Sequence, residues 1–204
     1  MKLLGTPASP YVWKVRIAFE EKHIPYEYVF APPADPNSGI SQYNPLGKIP
    51  VLVCNDEKCI YDSSVIVEYL DEFGSTPKLI PESFEDRIQV KRWQALGDGI
   101  VDSAVLISRD QRQPSAMRQS AEWYPNQQKK IDAGLATMER DLGCRTFCHG
   151  NTFTLADITC GVALGYLDRA LPNLKWQNLF PGLSRHAERL SERASFRNTL
   201  PPPR

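Results

Sequence analysis

The stretch Ile49-Pro50-Val51-Leu52-Val53-Cys54-Asn55-Asp56-Glu57-Lys58-Cys59-Ile60-Tyr61-Asp62-Ser63-Ser64 places three structural signals in a row. Ile49 to Cys54 is apolar and β-branched, which reads as a strand. Asn55 to Lys58 is a polar turn, and Cys59-Ile60-Tyr61 returns as the antiparallel partner. Asp62-Ser63-Ser64 then supplies side-chain acceptors for the orphan N–H groups of a helix whose apolar positions are Val65, Ile66, Tyr69 and Leu70. A hairpin followed by a capped helix is the second half of a small α/β unit.

Upstream, Lys2 to Gly5 is a short apolar run, Thr6-Pro7-Ala8-Ser9-Pro10 is a loop, and Val12, Val15, Ile17, Ala18 and Phe19 recur at helical spacing. Tyr26 to Phe30 has the aromatic and β-branched content of a second strand, and Ala31 to Gly39 is a loop rich in Pro and Asn. The predicted order is βαβαββα. Downstream, Gly74 to Asp86 reads as a linker. Strand signals then give way to helical periodicity over Glu85 to Ser108, Met117 to Leu142, Leu155 to Leu171 and Leu183 to Glu192. Pro201-Pro202-Pro203 is expected to fray. The expected fold is therefore α/β plus all-α, with domains at residues 1–77 and 87–204.

The chain has 204 residues, 42% of them hydrophobic and 24% charged, enough to bury a sizeable core. Basic and acidic residues both number 24, so no cationic excess points to nucleic acid or an anionic membrane. No run reaches transmembrane length, the N-terminal residues are too soon interrupted by Pro7 and Pro10 for a signal peptide, and a cytoplasmic protein is expected. The five cysteines show no paired spacing with histidines at zinc-finger distance, and His23, His149 and His186 are scattered. The reading is free thiols in a reducing compartment, with no metal.

Four short motifs carry a resemblance: S-P-Y-V at Ser9 to Val12, N-P-L-G-K-I-P at Asn44 to Pro50, Y-D-S-S-V-I at Tyr61 to Ile66, and F-T-L-A-D-I at Phe153 to Ile158. In this order and spacing the chain resembles the cytosolic glutathione transferases, of the bacterial, serine-type kind, over nearly its whole length. The resemblance implies a thioredoxin-like N-terminal domain that binds glutathione and an all-helical C-terminal domain that binds a second substrate. It further implies a homodimer that turns glutathione on small electrophiles, as in detoxification. Glutathione-dependent isomerisation, ether cleavage or dehalogenation fits the same residues, and non-catalytic interaction proteins share the fold.

By that resemblance Ser9 faces the glutathione sulfur, where a hydroxyl donor favours thiolate over thiol. Ser at an N-cap with Pro at the first helical position also serves a plain helix start, and Tyr11 is a competing hydroxyl. Ser9 and Val12 stand where glutaredoxin-like relatives carry Cys, which removes dithiol exchange at this site. Pro50 stands where the family has a cis proline, which turns the Ile49 backbone toward the ligand; a trans proline at the first position of a strand is the alternative. Asp62 suits the γ-glutamyl ammonium and Ser63 its carboxylate, both compatible with capping. Lys48 can pair with the glycine carboxylate or stay solvated.

Arg109, Trp123 and Tyr124, with Asp102, are candidates for the second-substrate pocket, together with Tyr11, although aromatics at helical spacing also fill cores. Charges from Glu82 to Arg92 form a solvated helix face or a dimer edge. Thr154 and Asp157 form a capping box, with Phe153 stapled toward Ile158, and support the fold rather than catalysis.

Overall fold

The computed structural model describes residues 1–74 and 77–203, which fall into two compact units, Met1–Ile80 with Arg193–Pro203, and Pro81–Glu192. The linker reading includes Ser75 and Thr76, which lie outside the described residues, as does Arg204.

In the first unit the elements are β1 (Lys2–Gly5), α1 (Pro10–Glu21), β2 (Glu27–Phe30), α2 (Ile40–Tyr43), β3 (Val51–Val53), β4 (Cys59–Ile60), α3 (Ser63–Phe73) and α8 (Ala194–Thr199). The four strands lie in the order β2-β1-β3-β4. β1 runs parallel to β2, with Leu3 opposite Tyr28, and antiparallel to β3, with Leu4 opposite Val51. β4 runs antiparallel to β3 with Leu52 opposite Ile60. This is a mixed thioredoxin-like sheet. The period-2 pleat sends Leu4 and Val51 into one cluster with Ala31 and Ile40. On α1, Val12, Val15, Ile17, Ala18 and Phe19 are all buried, matching the apolar spacing of the sequence. Gly5 is required by close approach, because a Cβ there would lie 2.5 Å from Val12 Cγ2.

Two ion-paired knots tie down the ends of this unit. Lys22 Nζ, buried just after α1, bonds Asp71 Oδ1 at 3.1 Å, Asp71 O at 3.1 Å and Pro77 O at 2.7 Å. Asp71 in turn accepts from the N–H groups of Leu79 and Ile80, at 2.7 and 3.1 Å. At the other knot Arg193 grips the Glu21 carboxylate through two nitrogens at 2.5 and 2.6 Å, and Ser195 Oγ donates to the same carboxylate. Trp13 meets Phe196 edge to face and donates from Nε1 to Thr199 Oγ1 at 3.0 Å.

The second unit is helical: α4 (Phe84–Asp110), α5 (Trp123–Leu142), α6 (Leu155–Ala170) and α7 (Pro181–Ser191). Gly97 lets α4 cross α6 at close range, since a Cβ there would lie 2.5 Å from Thr159 Cγ2 and 3.1 Å from its carbonyl oxygen. Gly134 does the same between α5 and Ile100 of α4. The expected capping box opens α6: Thr154 Oγ1 accepts from Ala156 N, and Asp157 Oδ2 accepts from Thr154 N at 2.9 Å. Among the described residues no helix is long and apolar enough to cross a membrane.

The sequence reading differs from this structure at three places. The helix expected from Met117 begins at Trp123, and Met117 instead closes a 3-10 turn at Ser115–Met117. The sequence places the residues after Glu192 in the helical domain, 87–204, whereas Arg193–Pro203 groups with the first unit. α8 is too short to show periodicity, and its attachment rests on partners more than 170 positions away in sequence. Pro201, expected to fray, is buried.

Candidate functional site

Strand directions decide where the N-terminal motifs meet. β1 leads into the loop before α1 at its C-terminal end, and that end lies beside the start of β3 because the two strands are antiparallel. β4 is antiparallel to β3, so its last residue also reaches that end. Ser9, the Ile49-Pro50 pair and Asp62-Ser63 therefore all emerge at one end of the sheet, where α1 and α3 begin.

Ser9 is the N-cap of α1, with extended backbone and Pro10 at the first helical position. Its Oγ accepts from Val12 N at 3.4 Å, a long bond that occupies one lone pair and leaves the hydroxyl proton available for donation. The residue is half-buried, as is Tyr11 two positions on. The Ile49–Pro50 peptide is cis, the form that the resemblance implies. Pro50 is buried, Ile49 half-buried and Lys48 exposed.

Asp62 caps α3 by accepting from Ser64 N at 2.9 Å through Oδ1, and its exposed side chain keeps Oδ2 for another partner. Ser63, at the first position of α3, is 3% exposed. The first-turn N–H groups of a helix beside a buried hydroxyl form a natural carboxylate site.

Asn44 received no role in the sequence reading, yet it orders the loop that presents Lys48 and Ile49. It is 2% exposed, its Nδ2 donates to Lys48 O at 2.9 Å, and its Oδ1 accepts from Leu46 N at 3.0 Å. Gly47, at φ +60°, completes the turn with a backbone that disfavours side chains. The signal was present in N-P-L-G, since Asn bonds its own backbone two residues on and Gly supplies positive φ.

The second-substrate candidates divide between the units. Tyr11 belongs to α1, while Arg109 ends α4 and Trp123 and Tyr124 begin α5. Arg109 and Tyr124 are exposed and Trp123 is half-buried. Tyr124 lines a depression of about 280 Å³ with Gln111, Gln128 and the turn from Ala170 to Leu174; Arg109 and Trp123 are not among its lining residues.

Residues 3–77 match the model of the glutathione S-transferase N-terminal domain, and residues 121–189 that of the glutathione S-transferase C-terminal domain. The GST-like protein YibF of Escherichia coli, itself uncharacterized, is 36% identical over 204 residues, 99% of either chain. A glutathione S-transferase from Methylobacillus flagellatus, solved with glutathione bound, is 42% identical with a TM-score of 0.95, covering 98% of this chain and 99% of that one. Another from Methylobacterium radiotolerans, in complex with glutathione sulfonate, is 38% identical with a TM-score of 0.93 over 100% of this chain and 95% of that one. With both domain models matched in order and likeness sustained end to end, the chain belongs to the glutathione S-transferase family.

Proposed function

We propose that this chain binds glutathione at the sheet end that bears Ser9, Pro50 and Ser63, holds it as the thiolate, and directs it at a small electrophilic carbon. The observation that carries the reading is the convergence of the α1 and α3 N-termini with the cis Ile49–Pro50 bond at that one end. The α3 start and Ser63 receive the γ-glutamyl carboxylate, while Asp62 Oδ2 takes the ammonium. Ile49 pairs its backbone with the cysteinyl unit, and Lys48 is near in sequence for the glycine carboxylate. Ser9 donates to the sulfur and, with the positive end of α1, stabilises the anion. A fall of one unit from the free thiol value of about 8.5 corresponds to about 1.4 kcal/mol.

The division of labour follows the sequence reading: residues 1–77 hold glutathione, and residues 87–204, less the segment that packs with the first unit, hold the second substrate. Tyr11, Arg109, Trp123 and Tyr124 are the side chains assigned to that substrate. Relatives solved with glutathione or glutathione sulfonate bound support the ligand assignment. The exposed thiols of Cys59 and Cys144 suit a reducing, cytoplasmic setting. A homodimer is proposed from α3, where Val65 (48% exposed) and Phe73 (55% exposed) lie on one face with half-buried Tyr69, which stacks on Phe73, between them.

Calorimetric titration with glutathione and, in parallel, S-methylglutathione tests the reading. Saturable binding of both, one site per chain, is expected, with ultraviolet difference spectra showing bound glutathione as thiolate below the pH at which the free thiol ionises. If neither ligand binds, the chain is a non-catalytic member of the fold.

A further inference from the structure

Three potential metal ligands that the sequence scatters come together inside the helical unit. Cys148 Sγ, Cys160 Sγ and a ring nitrogen of His186 all lie within 4.8 Å of one another, and all three residues are buried. Cys148 sits in the segment before α6, Cys160 on α6 and His186 on α7. Cys148 Sγ is 3.4 Å from His186 Nε2, and Asp157 Oδ1 is 3.3 Å from the same nitrogen. For tetrahedral zinc, with bonds of about 2.3 Å to sulfur and about 2.0–2.1 Å to nitrogen, the edge between sulfur and nitrogen is about 3.5 Å.

We propose that Cys148, Cys160 and His186 form a structural site for a thiophilic divalent cation, Zn²⁺ being the probe. The site shares no residue with the glutathione reading and stands without it. Asp157 keeps its bonds from Cys148 N at 2.8 Å and Thr154 N at 2.9 Å, which hold the carboxylate in place and join the ligand-bearing segment to the start of α6.

Arg189 Nη2 donates to His186 Nδ1 at 3.1 Å, so the imidazole proton sits on Nε2 and points at Cys148 and Asp157. Loading breaks two S–H bonds, forms two S–metal bonds and releases two protons to solvent. Two thiolates then neutralise the dication, which a buried site requires. The imidazole proton moves from Nε2 to Nδ1, and Arg189, exposed at its end of α7, turns outward. Entry is by the segment before α6, where residues 143–146 are exposed just ahead of Cys148.

The test uses the full chain with Cys59→Ser and Cys144→Ser, which removes the exposed thiols, in a buffer with a phosphine reductant and no glutathione. Zinc competition with a chromophoric chelator is expected to give one cation per chain and two protons released. Co²⁺ is expected to give thiolate charge-transfer bands. Cys160→Ser and His186→Gln are each expected to weaken zinc at least ~10-fold, the lower end of what even an outer partner of a metal ligand costs. Absence of stoichiometric uptake, or affinity unchanged in both variants, overturns the site. Should the variants fail to fold, zinc-edge X-ray absorption on the parent decides: two sulfur neighbours support the site, and a shell of nitrogen and oxygen alone overturns it.

Discussion

At the scale of single residues, Ser9 and Ser63 are both helix-start serines, yet they differ in surroundings. Ser9 is half-buried with a long capping bond, and Ser63 is nearly inaccessible. On the proposed chemistry, Ser9→Ala lowers kcat about 100-fold while glutathione affinity changes by less than about threefold, because the hydroxyl acts on the developing anion. Ser63→Ala weakens glutathione binding about tenfold with kcat nearly intact, as expected for a lost hydrogen bond to a charged group of roughly 1.5 kcal/mol. Parallel initial-rate kinetics and calorimetry separate the two; equal losses in rate and affinity for Ser9→Ala would remove its role at the sulfur.

Tyr28 offers a pH-dependent counterpart. Its Oη has no hydrogen-bond partner among the described residues, and burial raises its pKa to about 12 against the partly offsetting Arg16 guanidinium, 5.5 Å from its ring. The folded state thus keeps a proton that the unfolded chain loses near pH 10, so stability falls as pH rises from about 10 toward 12. Tyr28→Phe is expected to flatten that decline, read from urea midpoints on either side of pH 10. An unchanged slope would show that the phenol is not desolvated.

Among elements, the C-terminal end of α1 is fastened by groups whose importance no local pattern announces. Lys22 and Asp71 are an ion pair with side chains 0% and 2% exposed, and Asp71 also receives the Leu79 and Ile80 amides. Lys22→Met strands that carboxylate in the core and is expected to cost about 3–5 kcal/mol by urea denaturation, far more than an exposed lysine would. A change below about 1 kcal/mol would mean that the pair adds nothing beyond its packing. Most elements of the first unit were legible because each rests on short-range rules: Asp62 capping α3, Pro10 opening α1, and short continuous apolar runs in β1 and β3. α8 was not legible, since Arg193 and Ser195 find Glu21 only after the chain has folded back. The early start given to α5 has a local cause, because Pro114 begins a 3-10 turn whose periodicity merges with the helix beyond it.

For the molecule as a whole, the apolar face of α3 leads to a test of assembly. Sedimentation is expected to give twice the 23.1 kDa chain mass, and Val65→Glu with Phe73→Glu is expected to yield monomers. A monomeric parent would withdraw the homodimer.

The sequence by itself determined the order of elements as far as α7 and carried the motifs of the family resemblance, because strands, caps and turns follow from neighbours a few positions apart. Only the tertiary structure decided that Ser9, Pro50 and Ser63 share one sheet end, that Asn44 braces the loop between them, and that residues 193–203 complete the first unit. It alone also brought His186 to Cys148 across 38 positions. Meetings of that kind depend on strand direction and helix packing, which no local window of sequence encodes.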